Sequence, residues 1–285
     1  MTELPTLMEM LKAGVHFGHQ NSRWHPKMQP YLFGLRNGVH IINLESTQEQ
    51  LAKALEYVKT LSSKGKVILF VGIKRQAQPV IKAAAESCGM PYSTERWIGG
   101  LLTNFSEVKQ RLKKYNTLKQ EVASGEVEKY TKKEQLDIKK DIANMDRYLG
   151  GLANIDRLPD AMFVADMRIS KTAVAEAERM GVPIVGVCDS NVNPEKADYV
   201  IPANDDAVNS IKLIADLLAE AVNEGKAIWE KNKLAIDKEV KKAAVARPEI
   251  SEEKMAGKSS LVKAVAKKAA PKTAERRPMK VSESI

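Results

Sequence analysis

The sequence predicts an α/β fold: a parallel sheet of about five short strands with helices on both faces, and a long helical hairpin inserted in it. Two observations carry that reading. Short apolar runs at 67–72, 90–94, 161–166, 183–189 and 199–202 alternate with stretches of helical periodicity, the order in which a parallel sheet is wound. At Arg96-Trp97-Ile98-Gly99-Gly100-Leu101-Leu102-Thr103-Asn104-Phe105 the hydrophobic period then changes to that of long helices, and a second glycine pair at Leu149-Gly150-Gly151-Leu152 returns the chain.

Taken in order, residues 4–15 read as a short helix ended by Ala13-Gly14. The segment His16-Phe17-Gly18-His19-Gln20-Asn21-Ser22-Arg23-Trp24-His25-Pro26-Lys27-Met28 is polar, broken by glycine and proline and without periodicity, and so reads as a loop with chemistry in it. Asn37-Gly38 between apolar runs is a strong hairpin signal, and its tip presents Arg36. Residues 45–61 form an amphipathic helix that Gly65 ends, and residues 76–88 and 171–180 are helices between strands. A last helix runs from Asp205 and extends through residues 228–245.

The insertion spans residues 104–150. Asn104 is placed to cap a helix on which Phe105, Val108, Leu112, Tyr115 and Val122 recur at spacings of three and four. Ile138, Ile142, Met145, Leu149 and Leu152 form the seam of a returning helix, with Ser124-Gly125 in the turn. Each arm, about 18 residues at about 1.5 Å per residue, reaches about 27 Å and is expected to project as an antiparallel coiled coil, separable from its host. The division expected is an α/β domain over 1–103 and 151–245, the hairpin over 104–150, and a basic tail over 246–285 too poor in apolar residues to fold, hence disordered.

The net charge of +9 is unevenly spread: residues 1–103 carry an excess of 5 cations, 104–155 of 3, and 226–285 of 8, whereas 156–225 carry an excess of 7 anions. That division implies opposed faces, one suited to a polyanion. No apolar run approaches the ~20 residues of a membrane span, and no secretion signal is visible. Cys88 and Cys188 stand apart, without a CxxC pair, as in a cytosolic protein.

Open parallel sheets bind ligands beyond the carboxyl ends of their strands, which draws attention to the loops after Gly72, Asp166, Asp189 and Pro202. Gly72-Ile73-Lys74-Arg75-Gln76 suits a phosphate at a helix N-terminus, or merely solvent, and matches no nucleotide-binding fingerprint. His16, His19 and His25, and the strand-end Asp166, Asp189, Asp205 and Asp206, are types that hold a metal, but glycine and proline break the helical spacing the histidines need, and aspartates at strand ends cap helices and close turns. Ser190 lacks a nucleophile elbow, and no cofactor is implied. The positive features favour RNA: Arg23, Trp24, His25, Lys27, Lys74, Arg75, Arg96 and Trp97 interleave cations with planar rings, as where phosphates are neutralised and exposed bases stacked. The RNA-binding candidates are His19, Gln20, Arg23, Trp24, His25, Lys27, Arg36, Asn37, Lys74, Arg75, Arg96 and Trp97, with both tryptophans equally readable as core anchors.

These blocks carry a resemblance. Ala13-Gly14-Val15-His16-Phe17-Gly18-His19-Gln20, Trp24-His25-Pro26-Lys27-Met28, Arg36-Asn37-Gly38-Val39-His40-Ile41-Ile42-Asn43-Leu44, Phe70-Val71-Gly72-Ile73-Lys74-Arg75-Gln76-Ala77, the Arg96–Phe105 stretch and Ile201-Pro202-Ala203-Asn204-Asp205-Asp206-Ala207 resemble, in order, the family of the second protein of the bacterial small ribosomal subunit. The likeness covers roughly residues 4–225. It implies a flavodoxin-like α/β domain with a coiled-coil hairpin, no enzymatic activity, a cytoplasmic place on the ribosome and a seat on 16S ribosomal RNA near the head–body junction. It also implies contact with other small-subunit proteins, among them the large messenger-binding protein whose recruitment this family supports, and no membrane.

Overall fold

The computed structural model describes residues 4–245. The chain divides into one unit over Met1–Lys233 and another over Leu234–Ile285, and the architecture is that of the first. The expected disorder of 246–285 lies outside the described residues.

Helix α1 (Leu7–Ala13) starts at a reciprocal cap in which the Thr6 hydroxyl accepts from the Glu9 amide while the Glu9 carboxylate accepts from the Thr6 amide. The expected loop after it is in part a strand, β1 (Phe17–Gln20), succeeded by two 3₁₀ turns. Four residues are too few to show a periodicity, and β1 is specified by its partner. It pairs antiparallel with β3 (Val39–Ile42), which pairs on its other side with β2 (Leu32–Arg36). The β2–β3 turn has Asn37 and Gly38 both at positive φ, 52° and 79°, the geometry that selects Asn-Gly.

The main sheet is parallel throughout. Its strands β4 (Ile68–Val71), β5 (Tyr92–Ser93), β6 (Ala161–Val164), β7 (Ile184–Cys188) and β8 (Tyr199–Pro202) lie in the order β5-β4-β6-β7-β8, the flavodoxin-like winding. Every residue of β4, β6 and β7 is buried, so these strands read as continuous apolar runs. Alternate side chains serve two cores. Ile68, Phe70, Phe163 and Val187 face α2 (Leu44–Ser62), α3 (Gln78–Cys88) and α7 (Val208–Val245). Leu69, Val71, Met162 and Val164 face α6 (Lys171–Met180) and the base of the hairpin.

The hairpin is formed by α4 (Phe105–Ala123) and α5 (Lys132–Leu149). Their contacts run antiparallel: Tyr115 donates its hydroxyl to Asp146, Lys119 reaches Asp146 at 3.3 Å, and the Asn116 amide reaches the Ala153 carbonyl at 3.1 Å. Its base is not self-contained, which corrects the expectation of a separable arm. Val108, Leu112, Tyr115, Leu149 and Leu152 share one core with Leu69, Val71 and Met162, because the ten-residue α6 covers only part of that face of the sheet. Gly151 marks the tightest approach. A Cβ there would meet the Tyr92 carbonyl at 2.4 Å, so only glycine lets the returning chain press on β5.

Burial of the four large side chains that lie within 104–150, Val108, Leu112, Tyr115 and Leu149, at about 1.5–3 kcal/mol each is on the order of 10 kcal/mol, comparable with the whole stability of a domain. Replacing residues 104–150 by a linker is therefore expected to abolish the cooperative melt, whereas removing only 120–141 and closing with a short glycine turn leaves it intact. Circular dichroism melts of both variants check this, and equal melting would contradict the shared core.

Candidate nucleic-acid interface at the carboxyl end of the sheet

The carboxyl ends of β4, β6, β7 and β8 converge on one ionic cluster. The Lys74 ammonium, after β4, lies 2.7 Å from Asp205 and from Asp206 and 3.7 Å from Asp166. His19, from β1, sits between Asp189 at 3.1 Å and Asp206 at 3.3 Å. The segment around β1 is bolted to the same place by its backbone. His19 donates its amide to the Ser190 hydroxyl at 2.8 Å, the His25 amide reaches the Ser190 carbonyl at 2.7 Å, and the Asn204 amide reaches the Val15 carbonyl at 3.1 Å. The crevice that open sheets keep for a ligand is thus occupied by the chain's own N-terminal segment.

Burial and charge together set the proton affinities here. Asp205 is raised to about 7, first by burial and then by Asp189 and Asp166, against the pull of Lys74. His19 is raised by Asp189, which outweighs burial. For Lys74 burial works downward and is outweighed by Asp205 and Asp206, so it stays cationic. His19, Asp205 and Asp206 offer atoms within 4.8 Å of one another, a spacing a metal ion accepts, but the Lys74 ammonium already stands against both aspartates and supplies the positive charge. The cysteines are poor nucleophiles: burial pushes Cys188 up to about 12 and raises Cys88.

The predicted contact residues fall into two groups. Lys74, His19 and Lys27 are engaged by carboxylates, the last by Glu195. Trp24 stacks on His40 at 5.0 Å, His25 accepts the Lys27 amide, and Trp97 is only 7% exposed and packs in the second core. Gln20, Arg23, Arg36, Asn37, Arg75 and Arg96 are exposed, and among the described residues no carboxylate pairs with these four arginines. Arg75 and Arg96 follow the carboxyl ends of β4 and β5, and the segment carrying Arg23 and Arg36 docks at the ends of β7 and β8, so the topology gathers them at one end of the sheet.

Sequence reasoning missed Glu176 on α6. Its carboxylate accepts from the Trp97 indole at 3.0 Å and from the amides of Gly100, Leu102 and Thr103 at 2.9, 3.1 and 3.4 Å. It therefore caps the turn into α4, where the Asn104 side chain makes no cap hydrogen bond. Burial works to raise its pKa, and these donors outweigh it and hold it low. A glutamate some seventy residues away leaves no local signal. The acidic excess of 156–225 also changes meaning: Asp160 pairs with Lys66, Glu195 with Lys27, Glu224 with Lys59 and Asp205 with Lys74, while Asp198 accepts the Ile184 amide. Much of the expected anionic face is internal wiring.

Residues 10–225 match the family model described as Ribosomal protein S2. The chain is 47% identical over 221 residues to the small ribosomal subunit protein uS2 of Coprothermobacter proteolyticus, covering 78% of this chain and 82% of that protein. It is 46% identical over 220 residues to the small ribosomal subunit protein uS2 of Geotalea uraniireducens, covering 77% and 86%.

The ionic cluster and the Glu176 cap each bear on stability. Asp205 and His19 bind protons more tightly folded than unfolded, so their contribution is complete at low pH and is lost as pH rises, between about 4 and 7 for Asp205 and from about 6.5 upward for His19. The melting temperature is expected to fall between pH 5 and 8 at constant ionic strength. Asp205→Asn flattens the lower part of that slope and His19→Gln the upper, and curves parallel to the parent would refute the coupling. Glu176→Ala strands several donors and is expected to cost about 3 kcal/mol, a drop of about 6–12 °C, with Glu176→Gln intermediate. Differential scanning calorimetry on the three proteins settles the order.

Proposed function

Because the chain belongs to the ribosomal protein S2 family, we propose that it binds 16S ribosomal RNA near the head–body junction of the small subunit and supports recruitment of the large messenger-binding small-subunit protein. It is a small-subunit ribosomal protein and acts in translation; its place is on the ribosome, in the cytoplasm. Its role is that of a structural constituent, not an enzyme. Among the described residues no helix is long and apolar enough to cross a membrane.

The observation that carries the RNA reading is the set of exposed arginines without carboxylate partners among the described residues, Arg23, Arg36, Arg75 and Arg96, which three segments of the chain bring to one end of the sheet. A guanidinium fork matches a phosphate bidentately, and a fixed constellation of forks reads the course of a folded RNA backbone. Gln20 and Asn37 stand beside them as neutral donors and acceptors. Lys74, His19 and Lys27 serve one step back, holding the segments that present the arginines. A degenerate nucleotide-binding enzyme draws no support from strand ends covered by the N-terminal segment. The division into an α/β domain over 1–103 and 151–245 and an inserted hairpin over 104–150 belongs to the same reading, the hairpin being an arm that reaches further RNA.

Reversing Arg23, Arg36, Arg75 and Arg96 to glutamate is expected to abolish incorporation into small subunits reconstituted with 16S RNA. Every phosphate left unneutralised lowers the log–log salt slope by about 0.7 to 0.9. Reversing Asp156, Asp216 and Glu220, whose exposed side chains pair with no cation among the described residues, serves as the control. Sedimentation reads the result: a basic-side variant that co-sediments normally would overturn the orientation, and RNA binding without co-sedimentation would favour a free RNA chaperone.

A further inference from the structure

A groove encloses about 590 Å³ between the Arg96–Gly99 loop and the facing sides of α4 and α5. Among the described residues three cations line it, Arg96, Arg111 and Lys114, and no acid does. All three are exposed, and among the described residues no carboxylate pairs with them. The floor is apolar, from Met145 and Leu149, and the Tyr148 ring, 40% exposed, stands at the wall with the Arg147 guanidinium 5.8 Å from its centroid. Asn144 adds an amide able both to donate and to accept.

A larger cavity of about 840 Å³ lies at the opposite, amino-terminal end of the strands, but its cations are already used. Lys226 donates to the Cys88 and Gly89 carbonyls, Lys66 pairs with Asp160, and Arg157 holds the Gly65 carbonyl. In the groove, by contrast, unpaired cations, an apolar floor, a partly bare aromatic ring and one amide occur together. That combination matches the three parts of a nucleotide: phosphate, base face and base edge. The volume falls in the range of small-molecule sites, enough for one nucleotide and too small for a duplex. An acidic peptide would satisfy the cations but would leave the ring face without a planar partner.

We propose that this groove receives a single unstacked nucleotide of an RNA loop or bulge, its phosphates held by Arg96, Arg111 and Lys114 and its base laid against Tyr148. The proposal rests on the RNA-binding reading above and assigns a subsite to it, extending the contact surface from the sheet end onto the hairpin. Arg96 belongs to both, so it is the hinge between them. Asn144 reads the edge of the base, which gives the subsite a preference among bases that the phosphate contacts lack.

The test measures binding of the full chain to 16S RNA as a function of salt, for Tyr148→Leu and for the double variant Arg111→Gln/Lys114→Gln. Both target exposed residues, and a thermal melt confirms that each variant is folded. Tyr148→Leu is expected to weaken binding about 5- to 150-fold with the salt slope unchanged. The double variant is expected to reduce the slope by about 1.4, two single-strand contacts. A photoreactive benzophenone amino acid at position 148 is expected to crosslink to an unpaired nucleotide. If these variants bind RNA as the parent does while the reversal of Arg23, Arg36 and Arg75 abolishes binding, the groove is not a subsite and the RNA reading stands. If both sets bind as the parent does, both fail. A crosslink from position 148 to protein alone in assembled subunits would overturn the nucleotide and identify a peptide occupant.

Discussion

The carboxylate of Glu176 decides how the hairpin meets the sheet. It collects the Trp97 indole and the amides of Gly100, Leu102 and Thr103 into one half-buried point. Those donors would otherwise be orphaned at the start of a helix whose own Asn104 does not cap it. With the turn held, Leu101 and Leu102 are forced inward beside Leu69 and Met162, and α4 leaves in the direction that lets Val108, Leu112 and Tyr115 join the same core. One anion thereby fixes the exit of a hairpin, the burial of a tryptophan and the wall of a basic groove.

The carboxyl end of the sheet obeys a similar economy. In open α/β folds the strand ends leave a crevice, and uncompensated aspartates there attract a cation. Here the cation is Lys74, and the crevice is filled by the segment that His19 and Ser190 anchor. A site of the kind that binds nucleotides has become a joint, and its rigidity is what lets Arg23 and Arg36 be presented at defined positions although they lie on short turns and a hairpin tip.

Much of the fold is legible in the sequence because it is written locally. Apolar runs mark β4, β6 and β7, bounded by Gly65 and Gly72, by Pro159 and Asp166, and by Gly181 and Asp189; Asn37-Gly38 marks a turn through its backbone angles; residues 171–180 are a helix by period alone. The illegible parts depend on distant partners. Strand β1 exists because β3 lies beside it, Glu176 matters because a turn some seventy residues earlier needs an acceptor, and the hairpin base is buried because α6 is short. The candidate site divides along the same line. Residue type identifies cations and rings, but composition alone turns Lys74 outward and leaves Trp97 open between an exposed ring and a core anchor, whereas acids and core far along the chain draw both in.

That division has a chemical sense. Within residues 1–103 five of the eight lysines, Lys27, Lys59, Lys66, Lys74 and Lys82, are paired with carboxylates of the same chain. All four arginines, Arg23, Arg36, Arg75 and Arg96, are without such a partner among the described residues. An ammonium is a compact charge that suits a pocket of carboxylates, whereas a guanidinium is a planar fork, weakly hydrated, that matches phosphate oxygens two at a time. A chain whose cations served solubility alone would have no reason to sort them by type. Sorting follows if the lysines close the fold and the arginines are kept for an external polyanion; in the groove Arg111 keeps to this rule, and Lys114 beside it joins the arginines as a second free cation among the described residues.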